Sequence, residues 1–225
     1  MNVNESTLSM TTLDVVMRSK SIYKIPKRTV DILVGIAGTV ILAPLCVAVK
    51  FMNLMANDTD PMFFVQERIG QDGKKFKMYK FRTMVVGADE KLQTMLRENE
   101  DLKKEYEENK KLKNDPRITK MGAFLRKTSL DEFPQFINIL KGEMSVVGPR
   151  PYLEREKKDM GRAYKTITTM KPGLTGLWQV SGRSELSFDE RLKLDVKYYQ
   201  TNSFKGDMKI LFKTIKTVLC KKGAV

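Results

Sequence analysis

The 225 residues suffice for one domain with a sizeable core and a short appendage, but not for two full domains. Lys and Arg number 41 against 27 Asp and Glu, a formal net charge of +14, which calls for a polyanionic partner: nucleic acid, anionic lipid or a nucleotide. The absence of histidine removes the commonest general base and argues against zinc, leaving carboxylates as ligands for a harder cation, Mg²⁺ or Mn²⁺. Cys46 and Cys220 make no disulfide framework and fit a reducing compartment.

In chain order, residues 1–26 read as a polar tail, loosely ordered over its first twenty residues, with cations gathering from Arg18 to Arg28. Ile32 to Val49 then runs without a charge until Lys50, a helix of roughly 27 Å, at the short end of what crosses a bilayer. No small-residue cleavage site follows, so a signal peptide is set aside. A buried core helix, a full span and a re-entrant hairpin all fit the run. Pro44, which removes a backbone donor in its middle, selects the hairpin, and residues 27–56 are expected to form a helix-break-helix with both ends on the cytoplasmic side. Asp31 is awkward for a span, and cations at both ends (Lys27, Arg28 and Lys50) give no clear direction of crossing.

Residues 57–225 form the expected cytosolic domain, of an α/β class that is mostly helical with a small β-hairpin. Phe63–Val65 and Phe76–Arg82 flank Gly70-Gln71-Asp72-Gly73, whose Asp-Gly favours a turn, and the hairpin places Lys80 and Arg82 on one face. Ala88 to Lys113 reads as a charge-rich solvated helix. Further helices are predicted over 131–140, 152–168 and 188–199. The stretch 206–222 sets Met208, Leu211, Phe212, Ile215, Val218 and Leu219 on one side of a helix, with Lys209, Lys213, Lys216 and Lys221 mainly away from it. Such a helix either lies in an anionic membrane interface or packs its stripe on the domain.

Asp131 and Glu132 stand side by side in Leu125-Arg126-Lys127-Thr128-Ser129-Leu130-Asp131-Glu132-Phe133-Pro134-Gln135. One carboxylate can act as a nucleophile and the other as a ligand for a hard cation bridging phosphates. A capping box from Ser129 to Glu132 is the structural alternative, and Pro134 allows Asp131 itself to be the cap. Either way the dyad is expected at a helix start, where exposed N–H groups hold phosphates and keep Asp131 ionised. Lys80, Arg82, Arg126, Arg150 between Pro149 and Pro151, and Arg183 after Gly182 are cations in stiff or turn-rich settings suited to phosphate contact, although a solvated surface accounts for many such residues in so basic a chain. Pro172 to Arg183 holds the only Trp amid three glycines, which permit close backbone approach to a ligand or simply a packed loop. Walker A, Gly-x-Gly-x-x-Gly, Cys-x-x-Cys and Gly-x-Ser-x-Gly patterns are absent from the sequence.

Taken together, Gln66-x-Arg68-x-Gly70, Lys80-Phe81-Arg82-Thr83-Met84, Asp115-Pro116-Arg117-Ile118-Thr119, the dyad segment, Met144 to Pro151 and Pro172 to Arg183 resemble the bacterial sugar transferase family, the monotopic polyprenyl-phosphate phosphoglycosyl transferases. The similarity runs from about Lys27 to Leu219. It implies transfer of a sugar-1-phosphate from a UDP-sugar to polyprenyl (undecaprenyl) phosphate with release of UMP, at the start of exopolysaccharide, capsule or O-antigen assembly, on the cytoplasmic face of the inner membrane. It also implies that Asp131 carries a phosphosugar intermediate and that Glu132, with Asp131, holds Mg²⁺ (or Mn²⁺). Lys80, Arg82, Arg126, Arg150, Arg183 and Asp195 map onto the family's substrate and phosphate surroundings, and Pro44 onto its membrane-helix break, though Ala43 stands where many members have Ser. Larger relatives carry transmembrane helices ahead of this core, so a small, core-only form is expected. The implied partners are the UDP-sugar, polyprenyl phosphate, membrane lipid and downstream glycosyltransferases. Nucleic acid is not among them, because Trp178 and most Phe residues lie in apolar or Gly-rich settings rather than along a basic groove. A catalytically silent membrane-bound scaffold for glycan enzymes is the alternative.

Overall fold

A computed structural model describes residues 4–109, 112–182 and 186–219, with side chains from Tyr23 to Thr217. Helix α1, Asn4–Met55, is followed by strands β1 (Phe63–Ile69) and β2 (Lys75–Phe81), then α2 (Ala88–Glu98), α3 (Glu100–Asn109), α4 (Lys120–Thr128) and α5 (Gln135–Lys141). Strand β3 (Ser145–Val147), α6 (Lys157–Met160), α7 (Ala163–Ile167), strand β4 (Gly173–Thr175), α8 (Phe188–Thr201) and α9 (Phe204–Leu219) complete the order. The expected mostly helical fold with a small hairpin is present.

Two expectations for the N-terminal part change. The segment from Asn4 is helical rather than loosely ordered, and the helix passes Pro26 and Pro44 without a gap, so no break interrupts it where a helix-break-helix was expected. Loss of one donor leaves the other bonds of a long helix in place. One face of α1, at Asp31, Gly35, Gly38, Leu42, Val49 and Asn53, is buried against the domain. The other presents Leu33, Ile36, Val40, Ile41, Val47, Phe51 and Leu54. Its part from Tyr23 to Met55 is long and apolar enough to cross a membrane by length and composition. Gly38 permits the docking, because a Cβ there would lie 2.3 Å from the Phe136 ring of α5.

Polar contacts fix the register of α1 on the domain. Asp31, only 3% exposed, accepts from Ser145 Oγ (2.9 Å) and the Val146 N–H (2.8 Å) of β3. That explains a carboxylate at the head of an apolar run: it satisfies strand groups rather than facing lipid. Arg28 donates to the carbonyls of Ile139 (2.7 Å) and Leu140 (3.0 Å), closing the C-terminus of α5. Lys27 and the hydroxyls of Tyr23 and Tyr198 converge on buried Asp207, joining α1, α8 and α9.

β1 and β2 pair antiparallel from Phe63↔Phe81 to Ile69↔Lys75, with Asp72 and Gly73 both left-handed (φ 57° and 75°) as an Asp-Gly turn requires. The second sheet, β3 parallel to β4, was not expected. Gly148, Gly173 and Gly176 let its backbones touch: a Cβ on Gly173 would lie 2.1 Å from Gly148 N, and one on Gly176 2.1 Å from Gly148 O. These glycines therefore serve backbone packing. The predicted helix 88–113 is two helices, and 152–168 is broken by Gly161 at φ 51°. Three apolar clusters fill the interior: Phe76, Met78, Ile139, Met144, Val146 and Val147 with Tyr198 and Ile210; Ile69, Tyr152, Met160, Ile167, Phe188 and Leu192; and Leu42 and Val49 of α1 with Phe81 and Leu125.

Candidate active site

Asp131 and Glu132 occupy a 3-10 turn, Leu130–Glu132, and not the first turn of an α-helix; α5 starts only at Gln135, after Pro134. Nor is Ser129 the cap of a box. It sits in the left-handed region (φ 59°) and closes α4 through its N–H to Arg126 O and Leu125 O. The reversal drives Leu130 and Phe133, on either side of the dyad, into the apolar cluster shared with α1. Asp131 is thereby buried while Glu132 stays half-exposed.

Lys80, at the end of β2, donates to Glu132 Oε1 at 2.8 Å and stands 3.7 Å from Asp131 Oδ2. Arg126 is held by its Nε–H donating to Thr83 Oγ1 (2.9 Å), close enough to Asp131 for each to sense the other's charge. Burial raises the proton affinity of Asp131 above the ordinary carboxylate range, with Glu132 adding to it and Lys80 and Arg126 opposing. Desolvation thus outweighs the cations, and the carboxylate binds its proton more tightly than a helix start alone would lead one to expect. Such a carboxylate is poorly hydrated when it does ionise, which suits a nucleophile.

Other expected residues are placed differently. Arg82 donates to Asp58 Oδ1 (2.6 Å), Pro61 O (2.7 Å) and Met84 O (3.2 Å), so its contacts tie the α1–β1 connection rather than reach the dyad. Arg150 and Asp195 belong to a second assembly. The Arg150 N–H and the Tyr152 hydroxyl both donate to Asp195 Oδ2, at 3.1 and 2.8 Å. Burial lifts Asp195 to about 7, against the pull of Tyr152, Arg150 and Arg191. Arg183 lies outside the described residues. Sequence reasoning missed Thr83, Arg68 and Arg191 as site residues, although Thr83 and Arg68 stand in quoted motifs; nothing local marks a threonine as the seat of an arginine 43 positions on.

Among the described residues no group of three or more His, Cys, Asp or Glu side chains could enclose a metal. Asp131 and Glu132 nonetheless fit Mg²⁺, which keeps several waters and is usually held by one or two carboxylates together with substrate phosphates.

The sequence profile for bacterial sugar transferases matches residues 22–221. The chain belongs to the bacterial sugar transferase family. It is 46% identical over 198 residues to the UDP-galactose-lipid carrier transferase of Erwinia amylovora, and 43% identical over 198 residues to the undecaprenyl-phosphate galactose phosphotransferase of Salmonella typhimurium. Each match covers 88% of this chain and 41% of the relative, so the chain spans about two fifths of those proteins. With the exopolysaccharide production protein ExoY of Rhizobium meliloti it shares 43% identity over 202 residues, 88% of this chain and 87% of that one. In this chain the dyad, Lys80 and Arg126 form one group, and Arg150, Tyr152, Arg191 and Asp195 another.

Proposed function

We propose that the protein transfers a sugar-1-phosphate from a UDP-sugar to polyprenyl phosphate, releasing UMP, and so begins assembly of a membrane-linked glycan that downstream glycosyltransferases extend. The observation that carries this reading is a buried carboxylate, Asp131, beside a second acid and two cations at the edge of the apolar cluster that includes α1. Asp131 attacks the sugar-linked phosphorus; a P–O bond forms to the carboxylate, the bond to the bridging oxygen breaks, and its electron pair leaves on UMP. A phosphate oxygen of the lipid then attacks the same phosphorus and displaces the carboxylate. Both attacking groups act as anions, which is why the chain manages without histidine. Lys80 and Arg126 offset charge on the diphosphate. Glu132, with Asp131, would hold Mg²⁺ or Mn²⁺, which when bound neutralises charge on the phosphates.

The exposed apolar face of α1 sits in the cytoplasmic leaflet of the inner membrane without crossing it. Docking from Asp31 to Asn53, about 33 Å of helix, would otherwise draw Ser145 and the domain attached to α1 into hydrocarbon. The α9 helix supports the same orientation: Phe212 and Ile215 are exposed beside Lys205, Lys209, Lys213 and Lys216.

The test is UMP release from a panel of UDP-sugars with polyprenyl phosphate in detergent, together with trapping of radiolabelled phosphosugar on the protein. Asp131→Asn is expected to lose both; an Asn variant with near-normal turnover would overturn the assignment.

A further inference from the structure

Trp178, the only tryptophan, has two guanidinium groups near its ring, Arg150 Cζ at 5.5 Å and Arg191 Cζ at 5.9 Å from the ring centroid. Arg68 donates to the carbonyl of Pro151, next to Arg150, at 3.0 Å. Three like charges converging in a partly desolvated space repel one another. Burial first, and then repulsion from Arg150, push the proton affinities of Arg68 (to about 9) and Arg191 downward. Asp195 lies beside Arg150 and Arg191, and Glu156, its carboxylate turned to the Leu153 N–H at 2.7 Å, is the acid felt by both Arg68 and Arg191. Arg68 Nε, Arg150 Nε, Trp178 Nε1 and Asp195 Oδ1 are all buried with no hydrogen-bond partner among the described residues. Buried donors left unpaired are costly, and three of them together fit an acceptor-rich anion.

We infer that Arg68, Arg150, Arg191 and Trp178 form a phosphate subsite separate from the dyad, which takes the nucleotide phosphate of the UDP-sugar and retains it on UMP after cleavage. The inference rests on the proposed reaction. Lys80 stands opposite Phe64 in the β1–β2 hairpin and Arg68 lies four residues further along β1, so both cations share one face of that sheet, along which a diphosphate would run from one group to the other. The choice of nucleotide over lipid phosphate follows from what lies beneath each group. The dyad and Lys80 border the cluster containing Leu42 and Val49 of α1, whereas Tyr152, Phe188 and Leu192, beneath the arginines, belong to a cluster with no α1 residue.

Trp178 supplies the reporter. The full chain in detergent is titrated with UMP, uridine or dodecyl phosphate while its emission is followed, with calorimetry as a second readout. UMP is expected to bind saturably and uridine at least tenfold more weakly, with dodecyl phosphate failing to displace UMP. Arg68→Gln and Arg191→Lys should each weaken UMP at least tenfold. Arg191 also donates to Ser187 O and Asn109 O, so if Arg191→Lys does not fold, Arg68→Gln carries the test. UMP affinity unchanged in Arg68→Gln, uridine binding as tightly as UMP, or displacement by dodecyl phosphate would overturn the subsite. Turnover of a UDP-sugar with UMP binding indifferent to Arg68 removes the subsite and leaves the reaction standing. Arginine-dependent UMP binding without turnover of any UDP-sugar leaves the site and removes the reaction.

Discussion

At Asp131 two influences oppose each other, and the balance is measurable. Since burial raises its proton affinity and Lys80 lowers it, formation of the covalent intermediate should fall on acidification through a pKa above the ordinary carboxylate range, and Lys80→Met should move that limb to still higher pH. Rapid-quench single-turnover rates against pH check both; a limb at the usual carboxylate value, or one unmoved in Lys80→Met, would contradict the geometry. Glu132→Gln should weaken the dependence on Mg²⁺ along with the rate, because a charged oxygen is lost to a hard cation; an unchanged Mg²⁺ titration would remove it as a ligand. Asp195 makes a stability prediction. With a folded-state pKa near 7, it holds a proton that the unfolded chain releases from about pH 4 upward, so its contribution to stability declines as pH rises across that window. Asn at 195 can still accept from Tyr152 and Arg150 but cannot ionise, so Tm against pH should be flatter in Asp195→Asn than in the wild type between about pH 5 and 7.5. The dyad was legible because two adjacent acids among cations stand out along the chain. Arg82 was misplaced because sequence shows that a cation is present but not that Asp58 has already claimed it.

Helices with a long apolar period were readable at the scale of elements: α8 starts at Phe188, capped by Ser187 with Glu190 in its first turn, and α9 covers most of the predicted stretch, although it buries Ile210 and leaves Phe212 and Ile215 of the expected stripe exposed. The β3–β4 pair was not, because three-residue strands flanked by Gly and Pro carry no period and read as turns. Their pairing depends on contact between segments about 28 residues apart, which no local pattern announces. The α1–α5 contact yields a test of tertiary fit. Gly38→Ala places a methyl into the Phe136 ring and should cost about 1–3 kcal/mol through overpacking. Phe136→Leu in the same chain should recover part of that loss, which a double-mutant cycle of thermal or chemical denaturation would show. Strict additivity would mean that the two helices are not in contact at that point.

Across the whole molecule, the net charge led to the expectation of a polyanionic partner and the apolar run to that of a lipid-facing surface, but the sequence could not show that one helix face is committed to protein and the other left exposed. The proposed topology rests on that division. After replacement of Cys46 and Cys220, cysteines at Ser9 and Asn57 should both be protected from a membrane-impermeant thiol reagent in intact cells. Labelling at position 9 alone would show that α1 crosses. Pro44→Leu restores the missing donor and should favour a straighter helix, while the contacts of Arg28 and Asp31 with the domain oppose undocking. The Asp31–Ser145 contact has one more consequence. If α1 lies in the membrane as proposed, its docking through Asp31 onto β3 would hold Asp131 at a constant height above the acyl layer, and a lipid phosphate anchored in that layer would reach it by diffusion in two dimensions instead of three. Encounter should then scale with the acceptor's surface density, so diluting the bilayer with inert lipid at fixed total acceptor would slow the second half-reaction while leaving UMP release in a single turnover untouched.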